Sequence, residues 1–189
     1  MAQPGLRPVA GSATESILAE KTIAWGESTF AIRSLAVRAV IQRVTRASVT
    51  AEGRLVSEIG IGLLVLLGVQ EGDSNQEIDW LVGKISRLRI FADQAGAMNR
   101  SVREVDGRIL VVSQFTLLAD TRKGNRPSFI SAAAPDLARQ IYDEFCLRLE
   151  RETGQPIGRG IFGARMEISL INDGPVTIWI DTRKQGSGR

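Results

Sequence analysis

The chain has 189 residues, 43% of them hydrophobic and 24% charged, with 24 Lys/Arg against 21 Asp/Glu. That suits one domain with an ordinary core, and a net charge of +3 permits contact with nucleic acid without announcing it. The chain has no histidine and one cysteine, Cys146, which removes imidazole bases, Ser-His and Cys-His nucleophile pairs, a disulfide framework and most zinc sites.

Residues 1–36 scatter Pro, Gly and Ser without a sustained period. They lack the apolar block of a signal peptide, and Glu15, Glu20 and Glu27 make them acidic for a transit peptide, so an unstructured N-terminal extension is expected. The pattern sharpens at RAVIQRVTRASVT, Arg38 to Thr50, which reads as a strand turning through AEGR into LVSEIG. GLLVLLGV follows as a strand buried on both faces. Its apolar run, Leu63 to Val69, is the longest in the chain and far short of the roughly 20 residues of a bilayer span, so a soluble cytoplasmic protein is expected.

Ser74 and Glu77 form a capping box, and Ile78, Leu81, Val82, Ile85 and Leu88 then recur at helical spacing. RLRIFAD and GRILVVSQFTL predict two more strands, separated by a loop around Gln94 to Arg100. A second helix starts near Pro135, carries Leu137, Ile141, Phe145 and Leu149 inward, and stops by Gly154. Cys146 lies in it as core filler. MEISLI and VTIWI predict a closing hairpin across NDGPVT, Asn172 to Thr177. A domain over residues 37–182 with a flexible tail at 183–189 is expected, and the element order predicts a mixed α/β fold, largely antiparallel, with helices on one side.

Two stretches could carry chemistry. In SQFTL, Ser113, Gln114 and Thr116 arrive at a strand's C-terminal end, where sites collect, or they merely alternate toward solvent. In TRKGNRPSF, Arg122, Lys123 and Arg126 share a loop with Gly124 and Phe129, which suits phosphate contacts or is a solvated basic loop. Asp79, Asp93, Asp120 and Asp173 lack metal-ligand spacing, and Gly60, Gly62 and Gly68 make no dinucleotide fingerprint. No metal and no cofactor are expected.

RAVIQRV, GLLVLLGV, MNRS (Met98 to Ser101), LVVSQFTLLADTRKGNRPSF and SLINDGPVT occur in the order and approximate spacing of D-aminoacyl-tRNA deacylases. The chain resembles that family from Arg38 to about Asp181. The resemblance implies two packed β-sheets with two main helices on one face, in three layers. It implies an esterase that releases tRNA from D-aminoacyl-tRNA, and from glycyl-tRNA mischarged on tRNA-Ala. It also implies a homodimer with its active sites at the interface. Gly174 and Pro175 match the family's Gly-cisPro pair, which enters the partner subunit's site and turns two carbonyl oxygens to the substrate's α-carbon, excluding an L side chain.

Ser113, Gln114, Phe115 and Thr116 match the catalytic motif, with backbone N–H groups near Phe115 as oxyanion donors. Thr116 without histidine is a poor nucleophile, and the assistance by the terminal adenosine's 2′-hydroxyl that the resemblance implies fits the sequence better. Phe162 and Met166 match the adenosine pocket, where an aromatic ring stacks on the base. The family begins Met-Arg-Ala-Val where this chain has Val37-Arg38-Ala39-Val40, so residues 1–36 are either a genuine extension or upstream sequence before a Val start codon. The competing readings are a non-catalytic module that grips the tRNA acceptor end through Arg122, Lys123 and Arg126, and a scaffold using its sheet edges.

Overall fold

The computed structural model describes residues 37–70 and 75–185. The predicted extension, the Ser74 cap and residues 186–189 lie outside the described residues. Strand β1, Val37–Ala51, turns through Glu52 and Gly53, both at positive φ (51° and 72°), into β2, Arg54–Ile59. A two-residue turn of that hand matches the twist of an antiparallel pair. β3, Gly62–Val69, is buried along almost its whole length and runs antiparallel to the first half of β1, from Val37 opposite Val69 to Val44 opposite Gly62.

Helix α1, Asn75–Arg87, buries Ile78, Leu81, Val82 and Ile85. RLRIFAD yields only β4, Phe91–Ala92, which pairs with β5, Met98–Arg100, inside the stretch expected to be loop. The Asp93 side chain makes this tight turn by accepting the Ala95 and Ala97 N–H groups and the Asn99 amide. β6, Arg108–Ser113, lies parallel to β3. The FTL of SQFTL leaves the strand as a 3-10 turn, Phe115–Leu118.

Helix α2, Pro135–Thr153, has Pro at its start and Gly154 at φ 71° as its left-handed C-cap. Its inward stripe is Ile141, Tyr142, Phe145, Cys146 and Leu149, whereas Leu137, one turn before the stripe begins, is exposed. Burial raises the Cys146 thiol to about 12, as befits core filler. Phe145 has no exposed surface, so Phe145→Ala is expected to cost about 3–5 kcal/mol in urea unfolding with an unchanged m-value.

β7, Gly158–Arg159, extends the sheet beside β6, and β8, Met166–Asp181, pairs antiparallel with β1 over nearly its whole length. The predicted hairpin at NDGPVT is therefore absent. MEISLI and VTIWI both pair with β1 in the same direction, Thr50 opposite Glu167 through Arg38 opposite Asp181. NDGPVT is a detour within one strand: Asn172 faces Val44, Thr177 faces Gln42, and the residues between swing out.

The first half of β1 lies between β8 and β3, the second half between β8 and β2. Val37, Ala39 and Ile41 join the helix-side core with Leu63, Val65, Ile109 and Val111. Val44, between the two register shifts of β1, and Ala47 and Val49, beyond the second, pack with Ile59, Leu64, Leu110 and Val112. The long ribbon thus coils over the opposite face of β3 and β6. The result is the expected three-layer order of helices, sheet and sheet, mixed and largely antiparallel.

Candidate active site

The end of β6 folds back because β3 carries Gly68 beneath it. A Cβ there would lie 2.9 Å from the Gln114 carbonyl oxygen and 3.1 Å from the Leu117 Cβ. Without that Cβ, the Gln114 N–H reaches the Leu67 carbonyl at 2.7 Å, and buried Leu118 anchors the turn. A 3-10 turn leaves its first N–H groups without an internal acceptor, which here are those at Phe115 and Thr116. Phe115 stays 58% exposed and meets Phe129 edge to face at 5.1 Å.

Ser113, Gln114 and Phe115 line a cavity of about 300 Å³ together with Leu67 and Val69 of β3, Pro135 and Tyr142 of α2, and Phe162. Tyr142 donates to the Val111 carbonyl at 2.9 Å, and burial raises its phenol, so it acts as a fixed donor. The Phe162 ring sits 6.0 Å from Tyr142 and 5.1 Å beneath the Arg139 guanidinium, which fixes it as one wall. Thr116 is exposed and hydrogen-bonded to the Gln114 side-chain amide. An amide is no base at neutral pH. Among the described residues no carboxylate bonds to Thr116 and no three His, Cys, Asp or Glu side chains group as metal ligands.

The basic loop is tied to the cavity's rim. Asp120 and Ser128 exchange both backbone hydrogen bonds at its base, and the adjacent Phe129 packs on Phe115. Lys123 and Arg126 are exposed, while Arg122 grips Asp120 at 2.9 and 2.5 Å. That guanidinium holds the Asp120 carboxyl at about 2. Met166 packs at the start of β8 with its sulfur accepting the Ile161 N–H at 3.3 Å, outside the residues that line the cavity.

Gly174 and Pro175 are exposed at the crest of the β8 detour, joined by a cis peptide bond, with Gly174 at φ 115°. The Asn172 amide closes the detour by donating to the Arg43 and Val176 carbonyls at 3.0 and 3.1 Å. Arg43 pairs with Asp173 at 2.8 Å and donates to the Ile90 carbonyl. No residue from 172–177 lines the cavity of its own chain. Arg43, Arg139, Tyr142 and the clamp role of Asn172 escaped the sequence. Their partners are mostly distant in the chain, and only the match of Gly174 and Pro175 to the family's pair marked the place.

Residues 40–181 match the family model described as D-Tyr-tRNA(Tyr) deacylase. A D-aminoacyl-tRNA deacylase of Bacteroides thetaiotaomicron is 54% identical over 149 residues, 79% of this chain and 99% of that one. One from Thermomicrobium roseum is 54% identical over 152 residues, 80% of this chain and 98% of that one. Among solved structures, a c-Myc DNA unwinding element binding protein superposes with a TM-score of 0.72 at 43% identity, covering 76% of this chain and 97% of that one. With the family model spanning both SQFTL and NDGPVT and relatives above half identity aligned nearly end to end, the chain belongs to the D-aminoacyl-tRNA deacylases, hydrolases that act on an ester bond.

Proposed function

We propose that this enzyme clears D-amino acids from tRNA, and glycine mischarged on tRNA-Ala, as a cytoplasmic proofreading homodimer. The observation that carries the reading is the cavity at the end of β6, which brings Ser113, Gln114 and Phe115 against the Phe162 wall. The terminal adenosine stacks on Phe162, with Met166 behind it next to Ile161. The ester carbonyl points at the N–H groups near Phe115, donors of a kind worth about 3 to 4 kcal/mol to a tetrahedral intermediate. Arg122, Lys123 and Arg126 steer the RNA.

Gly174 and Pro175 of the partner subunit complete the site, their carbonyl oxygens closing the space an L side chain would need. Exposure of this pair outside its own chain's cavity supports that arrangement. Rejection by unyielding main chain is specificity by exclusion.

Matched D- and L-tyrosyl-tRNA test the reading. Loss of the D ester alone supports it, loss of both rejects the filter, and loss of neither leaves an acceptor-end binding module. Because Thr116 meets only an amide, Thr116→Ala is expected to keep kcat within about tenfold of wild type, measured in single-turnover deacylation. Complete loss with fold and binding intact would make Thr116 the nucleophile instead.

A further inference from the structure

A second, polar cleft of about 470 Å³ lies beside the cavity: of the Phe115–Leu118 turn, Phe115 lines the cavity and Leu118 the cleft, and of the 131–133 strip, Ala132 and Ala133 line the cavity and Ser131 the cleft. Arg38, Arg122 and Arg183 line it. Their guanidiniums are braced. Asp181, only 3% exposed at the end of β8, accepts Arg38 Nε at 3.1 Å and Arg183 Nη2 at 3.4 Å on one oxygen. Its other oxygen takes the Arg183 backbone N–H at 3.1 Å and Nε at 3.4 Å. Arg38 Nη1 also donates to the Leu117 carbonyl at 2.8 Å, which ties this cleft to the turn that builds the cavity.

One carboxylate therefore holds two cations, while Asp120 neutralises Arg122. Among the described residues of the cleft a single positive charge remains, the complement of one phosphodiester. Guanidiniums already fixed by a carboxylate lose little freedom on binding, and their planar forks match phosphate oxygens. A nucleic acid strand whose last base stacks in the cavity has a phosphodiester at each step leaving it, and the cleft is next along the wall.

We infer that the Arg38–Arg122–Arg183 cleft is a phosphodiester site for the single-stranded 3′ end of the RNA substrate. This rests on the RNA reading proposed above, and adds Arg38 and Arg183, which lie far in sequence from the basic loop.

Two single variants test it, Arg38→Gln and Arg183→Gln; the second leaves the Arg38–Asp181 pair standing, so it remains informative if the first is destabilised. Binding of deacylated tRNA is measured between about 50 and 200 mM KCl. The slope of log K against log salt is expected to become shallower by about 0.7 for each phosphate that the variant no longer neutralises. In parallel, kcat/KM is compared between D-tyrosyl-tRNA and the D-tyrosyl ester of adenosine, which has no phosphodiester. The ratio of the two is expected to fall about tenfold, the effect of one charge-assisted hydrogen bond, mostly through KM on tRNA.

An unchanged salt slope, or an equal fall on both substrates, overturns the inference. Inorganic phosphate that binds wild type and not Arg183→Gln, with the same tRNA slope in both, would assign the cleft to a free anion and overturn it too. tRNA that binds with the expected slopes but is never hydrolysed would instead refute only the deacylase reading.

Discussion

Hydrolysis of D-tyrosyl-tRNA ending in 2′-deoxyadenosine is expected to be slower than that of the natural substrate by about 10²- to 10⁴-fold, the range a positioned proton-transfer group supplies. The chain has no histidine, the Ser113 hydroxyl on the cavity wall has no imidazole to activate it, and four further groups are held by their surroundings. Thr116 is hydrogen-bonded to an amide. Tyr142 is held protonated by burial while donating to Val111, and Cys146 is buried with its thiol at about 12. Asp120 is ionised but locked to Arg122 outside the cavity. Under the function proposed above, the protein supplies positioning and N–H donors, and the activating hydroxyl comes with the RNA. Single-turnover rates at saturating enzyme isolate this step, and a deoxy substrate hydrolysed within twofold of the natural one would end the substrate-assisted account.

Gly174→Ala is expected to lower kcat/KM for the D ester about a hundredfold, the cost of displacing a reacting group by about 1 Å. At φ 115° an L side chain is strained, at about 1–2 kcal/mol. The added Cβ would also stand 2.8 Å from the Val176 Cγ2 and 3.0 Å from the Arg43 Nη2. Neither neighbour yields easily: valine is stiff at χ1, and Arg43 is held by Asp173 and the Ile90 carbonyl. The crest of the detour must move while β8 on either side stays paired with β1. The melting temperature should therefore fall by only a few degrees, and wild-type turnover of the D ester in a folded variant would place Gly174 outside the site.

Elements whose signals are local were legible in the sequence. The Glu52-Gly53 turn, the doubly buried β3, and α2 between Pro135 and Gly154 all follow from residues within a few positions of one another. The failures share a cause. A hairpin and a detour in one strand have the same alternation and the same turn residues, and what separates them is that both halves of β8 pair with β1 more than 100 residues earlier. FTL reads as strand because Phe and Thr favour strands and continue the run of β6, yet Gly68 on a neighbouring strand admits the turn. Of the site, the sequence marked SQFTL and Phe162 as parts, and their convergence on one cavity required the fold.

A segment anchored at both ends on one continuous strand differs from an ordinary surface loop between two elements. β1 acts as a ruler: pairing stops at Val44 with Asn172 and resumes at Gln42 with Thr177, whatever the chain does in between. Changes at the crest of the detour thus leave the strands in register on either side, while Val176, packed against the helix-side core, anchors its far end. The fold has separated the crest that carries Gly174 and Pro175 from the pairing that sets the register of β8, so selection can adjust one without dismantling the other.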